Sequence, residues 1–210
     1  DHEFATDINS SGRLQVVRLN LNQTEPMFER VVTMASYIRS QSFCRPAIFL
    51  DIDAFLIHPV SNVFDNNFDV GLTHRHIVGQ MPINEGVIFA NTTNKAAVIK
   101  FFDSYLASYL VAECSEKVAK IYQNIRRWRG GQLAINAAAG GFQFYSTSVD
   151  VTEYGTSIAY LPCSKYNLSQ IDEKEVTKDL RNRCCVLHLK CNRKSWIERL
   201  KASLQSSGFH

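Results

Sequence analysis

The sequence predicts an α/β domain with a mainly parallel, mixed sheet flanked by helices. Three observations predict it. Strand and helix patterns alternate through the first half of the chain and mix later. The run Ala47-Ile48-Phe49-Leu50 is fully apolar, the mark of a strand covered on both faces. No repeat, low-complexity tract or Pro/Gly/Ser-rich linker divides the 210 residues, which are read as one domain, 1–210.

The elements follow in order. Leu14 to Leu21 alternates as a strand does. Pro26 to Gln41 reads as a helix, with Pro26 in the first turn and an apolar stripe of Phe28, Val31, Val32, Ala35 and Ile38. After the strand at residues 47–50, Ala54 to Pro59 reads as a turn out of the sheet. Asp69–Thr73 and Gly86–Ala90 are short strands. Asn94 to Val111 is a long helix with Ala97, Phe101, Phe102, Tyr105 and Leu106 on its apolar side. Gly130-Gly131 opens a further helix and Gly140-Gly141 ends it. Ile158–Leu161 and Cys184–Leu189 are late strands, and Ser195–Gln205 is a terminal helix.

Composition narrows the function classes. Hydrophobic residues make up 45% and charged residues 20%, ordinary for a globular chain. A net charge of +3, spread along the sequence, argues against a nucleic-acid partner. No apolar stretch is long enough to span a membrane, and no signal peptide is visible; the chain begins without Met, so a leader or anchor could have been removed. The six cysteines form no C-x-x-C pair, which argues against structural zinc and for mostly buried free thiols in a reduced compartment. Asn-x-Ser/Thr triplets at Asn9, Asn22, Asn91 and Asn167 pull towards the secretory route, but such triplets arise by chance in a chain rich in these residues. The compartment expected is cytoplasmic or membrane-peripheral, with the Golgi lumen left open.

Chemistry concentrates at Asp51-Ile52-Asp53, immediately after the apolar strand. Alternate strand residues point to one side, so both carboxylates are expected to face one crevice at the sheet's carboxyl edge. Oxygen ligands of this kind suit hard cations such as Mg²⁺ or Mn²⁺, which bridge a diphosphate. His188 emerges at a late strand end, and Lys194 lies six residues on. A neutral imidazole completing a two-carboxylate site, with a lysine on the same diphosphate, makes a leaving-group clamp.

These residues carry a family resemblance. Asp51-Ile52-Asp53 resembles the D-x-D motif of GT-A glycosyltransferases. His188-Leu189-Lys190-Cys191-Asn192-Arg193-Lys194-Ser195-Trp196 resembles the H-x-x-G-x-x-K-P-W ending of the retaining family that includes glycogenin and bacterial lipooligosaccharide galactosyltransferases. Asn84-Glu85-Gly86 resembles that family's N-x-G strand, Gly131-Gln132 to Asn136 its D-Q-x-x-x-N segment, and Pro162 to Tyr166-Asn167 its Pro-to-Tyr-Asn stretch. The resemblance implies a single GT-A, Rossmann-like domain; its nucleotide-binding opening is either what remains in Asp1 to Asp7 or is trimmed away. It implies transfer from a nucleotide diphosphate sugar, a UDP-sugar, to a glycan, lipid or protein acceptor, with retention. Asp51, Asp53 and His188 would bind Mn²⁺ or Mg²⁺, with Asp51 also near the ribose. Lys194 would contact the diphosphate, Arg30 the donor, and Asn84 and Gln132 the sugar, Gln132 beside the anomeric carbon.

Three positions depart from the pattern. Cys191 replaces a Gly, Ser195 replaces the Pro, and Gly131 replaces an Asp that in relatives binds sugar hydroxyls. That leaves a nucleotide-sugar-binding domain without turnover as an alternative. Phe49 to Leu56 also resembles the first motif of haloacid-dehalogenase-type phosphatases, with Asp51 as nucleophile and Asp53 as general acid. The Gly-Thr expected next is Ala54-Phe55, and no later Asp-Asp pair follows. His74-Arg75-His76 reads as a polar loop or part of an acceptor site. The basic amphipathic terminal helix suits either peripheral contact with an anionic membrane or packing on the domain.

Overall fold

The computed structural model describes residues 5–8, 15–18, 25–75, 81–114, 130–140, 149–169, 183–190, 196 and 202; of residues 5–8, 15–18 and 111–114 it describes the backbone only. A short hairpin opens the chain, β1 (Ala5–Ile8) against β2 (Gln15–Arg18). Helix α1 (Pro26–Arg39) starts on Pro26, whose missing N–H is harmless in a first turn, and carries Glu29 in that turn and Arg39 in the last, complementing the helix dipole. Its buried stripe is Val31, Met34, Ala35 and Ile38; Met34 takes the place expected for Val32, which is half-buried.

The central sheet has the order β3-β6-β5-β8-β7, formed by Ala47–Leu50, Ile83–Ala90, Val70–His74, Ser157–Pro162 and Val149–Val151 respectively. Strands β3, β5 and β8 run the same way. β6 is inserted antiparallel between β3 and β5, and β7 runs antiparallel at the far edge. The sheet is thus mixed, with β5·β8 the parallel neighbour pair among the described strands.

Helix α2 (Lys95–Cys114) is rich in apolar residues and buries Val98, Phe101, Phe102, Tyr105 and Tyr109. It packs between α1 and α3 (Gly130–Ala138), which closes at Gly140 with φ +101°, a conformation that favours glycine. The three helices and one sheet face enclose the main core. The other face packs Val87 and Phe89 of β6 on Val60, Val63, Phe68, Tyr166 and Val186. No helix among the described residues is long and apolar enough to cross a membrane.

Three expectations are corrected. Ala47–Leu50 is the edge strand of the described sheet, so Ala47, Ile48 and Phe49 are half-buried and Leu50 is exposed. Its outer side borders an apolar groove of about 560 Å³ lined by Pro46, Ile48, Leu56, Pro59, Val60 and Phe64. The segment after Asp53 is a strand: β4 (Ala54–Leu56) pairs antiparallel with β9 (Val186–His188) as a separate two-stranded sheet. Of the cysteines described, Cys44, Cys163, Cys184 and Cys185 are free thiols, but only Cys184 among them is buried. The expected terminal helix lies outside the described residues except for Trp196 and Ala202; Trp196 packs on the cluster of Ile57, Cys184, Leu187 and Leu189.

Candidate metal centre

Strand β3 ends at Leu50 and turns at once. The Ala54 N–H donates to the Asp51 carbonyl at 2.9 Å, closing a tight turn with Ile52 97% exposed near its tip. The two aspartates therefore flank a turn rather than sharing one side of an extended strand, as the sequence had suggested. The turn aims both carboxylates at the same imidazole. β4 leaves this turn and pairs with β9, with Ala54 opposite His188, while the Leu189 N–H donates to the Asp53 carbonyl at 2.8 Å. That backbone pairing delivers His188 to the aspartates.

His188 Nε2 lies 3.0 Å from Asp53 Oδ1 and 3.4 Å from Asp51 Oδ2. The ligand atoms of Asp51, Asp53 and His188 all lie within 4.8 Å of one another. The far ring nitrogen is committed. His188 Nδ1–H donates to Asn167 Oδ1 at 2.8 Å, Asn167 Nδ2 donates to Thr73 Oγ1 at 2.8 Å, and Thr73 Oγ1 donates to the Asn84 carbonyl at 2.9 Å. This chain fixes the tautomer and leaves the Nε2 lone pair facing two carboxylates. Burial, then the nearby Lys190 ammonium, lower the His188 pKa against the opposing pull of Asp51 and Asp53. A neutral imidazole facing two carboxylates is an electron-rich donor set that fits a divalent cation.

β6 supplies the floor of the site through an irregularity. Between the pairs Leu72↔Ile88 and Thr73↔Asn84, the residues Glu85, Gly86 and Val87 oppose none on β5. Gly86 lies beneath the imidazole: a β-carbon there would stand 2.4 Å from His188 Cε1 and 2.9 Å from Asp51 Oδ2. Asn84 Oδ1 accepts from the Gly86 N–H at 3.0 Å and from Lys190 Nζ at 3.3 Å.

Arg30, on α1, borders the same site. Its Nη2 donates to the Glu85 carbonyl at 2.9 Å and pairs with Asp51 Oδ1 at 3.1 Å, while Nη1 lies 3.6 Å from Glu85 Oε2. The Glu85 carboxylate is buried between helices, where the Tyr105 hydroxyl donates to Oε2 at 2.7 Å. Burial raises the Glu85 pKa, opposed by Arg30 and by the Tyr105 hydrogen bond. Gln132 is held by its Nε2, which donates to the Ile83 carbonyl at 3.0 Å, and Asn136 clamps both N–H and C=O of Ile83. These bonds fix the N-terminal half of α3 on β6.

The structure thus brings together Asp51, Asp53, His188, Arg30 and Asn84, with Gln132 on the adjoining helix. Lys194 and Cys191 lie outside the described residues, as does His76. His74 is the buried end of β5, packed on Tyr160, rather than a polar loop residue. Sequence reasoning missed Glu85 and Lys190, which occupy the unspecified positions of the N-x-G and H-x-x patterns. It quoted Asn167 without a role. The one signal for Asn167 was its amide side chain, at the end of a Pro162-to-Asn167 stretch that precedes His188 in the sequence.

No family model matches the chain, and no curated protein does. Comparison with solved structures finds the same fold in the crystal structure of a glycosyltransferase involved in the glycosylation of the major capsid of PBCV-1. The TM-score is 0.51 at 12% identity, over 87% of this chain and 80% of that one. At that identity the likeness is one of fold: the chain carries a fold found in glycosyltransferases.

Proposed function

We propose that the chain is a metal-dependent glycosyltransferase that moves a hexose from a nucleotide diphosphate sugar, a UDP-sugar, to a hydroxyl of a glycan, lipid or protein acceptor. The observation that carries this reading is the convergence of Asp51, Asp53 and His188 within 4.8 Å on a fold shared with a glycosyltransferase. In it, the three residues hold Mn²⁺ or Mg²⁺. Such an ion, when bound, offsets the charge that develops on a departing diphosphate. Asn167 holds the His188 ring so that Nε2 faces the carboxylates, and Gly86 leaves room for that ring. Arg30 orients Asp51. Lys190, half-buried beside Asn84, adds a cation on the same side, and Lys194 contacts the diphosphate. Transfer with retention follows the family resemblance.

The phosphatase reading leaves His188 without a purpose, whereas its ring nitrogen sits 3.0 Å from Asp53. Calorimetry with UDP, with Mn²⁺ and then with EDTA, tests the transferase reading. Metal-dependent UDP binding, weakened in both Asp53→Ala and His188→Ala, is the expected result. Wild-type affinity in both variants would refute the metal assignment, and absence of UDP binding with metal present would sink the donor reading. Donor hydrolysis or transfer assays separate an enzyme from a sugar-nucleotide-binding domain without turnover.

A further inference from the structure

Position 131 opens α3 as a buried glycine, and its neighbour across the site explains why. A β-carbon built there would stand 2.1 Å from Glu85 Oε2 and 2.9 Å from its carboxyl carbon. The Glu85 carboxylate occupies the volume a side chain at 131 would fill. A carboxylate is costly to bury, and the protein partners this one incompletely. Oε2 receives the Tyr105 hydroxyl and faces Arg30 Nη1, while Oε1 accepts no hydrogen bond from the described residues.

Two donors of the same site lack a hydrogen bond. Arg30 Nη1 and Asn84 Nδ2 are buried and form no hydrogen bond among the described residues. Asn84 is 2% exposed, so the missing partner is not bulk water. A carboxylate oxygen open to a donor, with an amide and a guanidinium nitrogen that form no hydrogen bond, matches a group that donates and accepts at once. Vicinal hydroxyls do so: each gives its proton to a carboxylate and accepts from an amide or guanidinium. The Arg30–Asp51 ion pair at 3.1 Å ties this cluster to the candidate metal centre.

We propose that Glu85 is the carboxylate that reads hydroxyl groups of the donor's sugar, and that Gly131 is what admits it. The inference rests on the sugar-nucleotide donor reading and adds a specificity-determining residue to it. The sugar's carboxylate partner is carried by β6, and the helix yields the space.

The test compares Mn²⁺-dependent binding of UDP, UDP-glucose and UDP-galactose by calorimetry, read in each variant as the ratio of UDP-hexose to UDP affinity. The ratio cancels any general change at the metal centre. Glu85→Gln is expected to lower it about tenfold for at least one hexose, the loss of a hydrogen bond to a charged group. The swap Glu85→Ala with Gly131→Asp, which returns a carboxylate from the helix side, is expected to recover it to within about threefold. Should Glu85→Gln fail to fold, Glu85→Asp, whose shorter chain withdraws the carboxylate, is expected to show the same fall. A purely structural Glu85–Arg30 pair would lower the melting temperature and leave the ratio unmoved, which overturns the assignment while the donor reading stands. A wild-type ratio near one for both hexoses counts against it in the same way. Failure of wild-type protein to bind UDP would overturn the donor reading and this assignment together.

Discussion

The imidazole of His188 lies on the bare face of Gly86, with Cε1 2.4 Å and Nδ1 2.6 Å from where a β-carbon at 86 would sit. The two residues come from β6 and β9, strands of different sheets, and the contact exists because one of them has no side chain.

Gly86→Ala therefore cannot be absorbed by a flexible neighbour, since the ring is held through Nδ1 by Asn167 and is buried. We expect the ring to be displaced, a stability loss of about 1–3 kcal/mol from overpacking, and loss of Mn²⁺ binding. Urea unfolding and a Mn²⁺ titration check the two effects. Unchanged Mn²⁺ affinity would mean that His188 is not a ligand.

Asn167→Ala removes the acceptor that fixes the His188 tautomer. Metal affinity should fall about 10–100-fold, as for loss of an outer hydrogen-bond partner of a ligating histidine. Asn167→Asp, which preserves the acceptor, should retain most of it. Mn²⁺ electron paramagnetic resonance titrations of both variants distinguish the positioning role from simple loss of packing.

The pH dependence of metal-free stability has a defined sign. Burial, and then Lys190, hold the His188 pKa below its ordinary 6.5. Below that value the unfolded chain takes up the proton more readily than the folded one. Stability contributed by the neutral ring is complete above 6.5 and is lost as pH falls towards the lowered pKa. Urea midpoints in EDTA should rise between about pH 5 and about pH 7, with a shallower slope in His188→Asn. Equal slopes in the two proteins would contradict the assignment.

Tyr105→Phe isolates the buried end of the Glu85 network. The lost bond is a hydroxyl donating at 2.7 Å to a buried carboxylate, and burial together with Glu85 keeps that phenol protonated well above its usual range. We expect a loss of about 1.5–3 kcal/mol in chemical denaturation, with UDP affinity little changed. A neutral outcome would show that Glu85 Oε2 finds another partner.

What the sequence revealed and what it hid divide by range. The apolar run 47–50 and the Pro26-led helix were legible because both depend on near neighbours in the chain. So was the grouping of Asp51 and Asp53 with His188, through motif order rather than geometry. The burial of β3 was not, because two covered faces and a half-covered edge demand the same apolar letters. Nor was β4, whose three residues become a strand only by pairing with Val186–His188. In the sequence Glu85 is only the unspecified position between Asn84 and Gly86. Its burial depends on a glycine on a distant helix, on Arg30 and on Tyr105, and no local pattern joins those four positions.

The pairing of β4 with β9 has one more effect. Asp53 and His188 are separated by 135 positions in sequence, yet their side chains stand 3.0 Å apart. Anything that occupies the triad closes a ring containing most of the chain. Loop closure on that scale restricts the unfolded ensemble more than the folded one, and a ligand that binds only the closed form adds its own binding free energy to folding. An occupied triad would then act as a clasp on the fold, and the piece released when it opens would be β9.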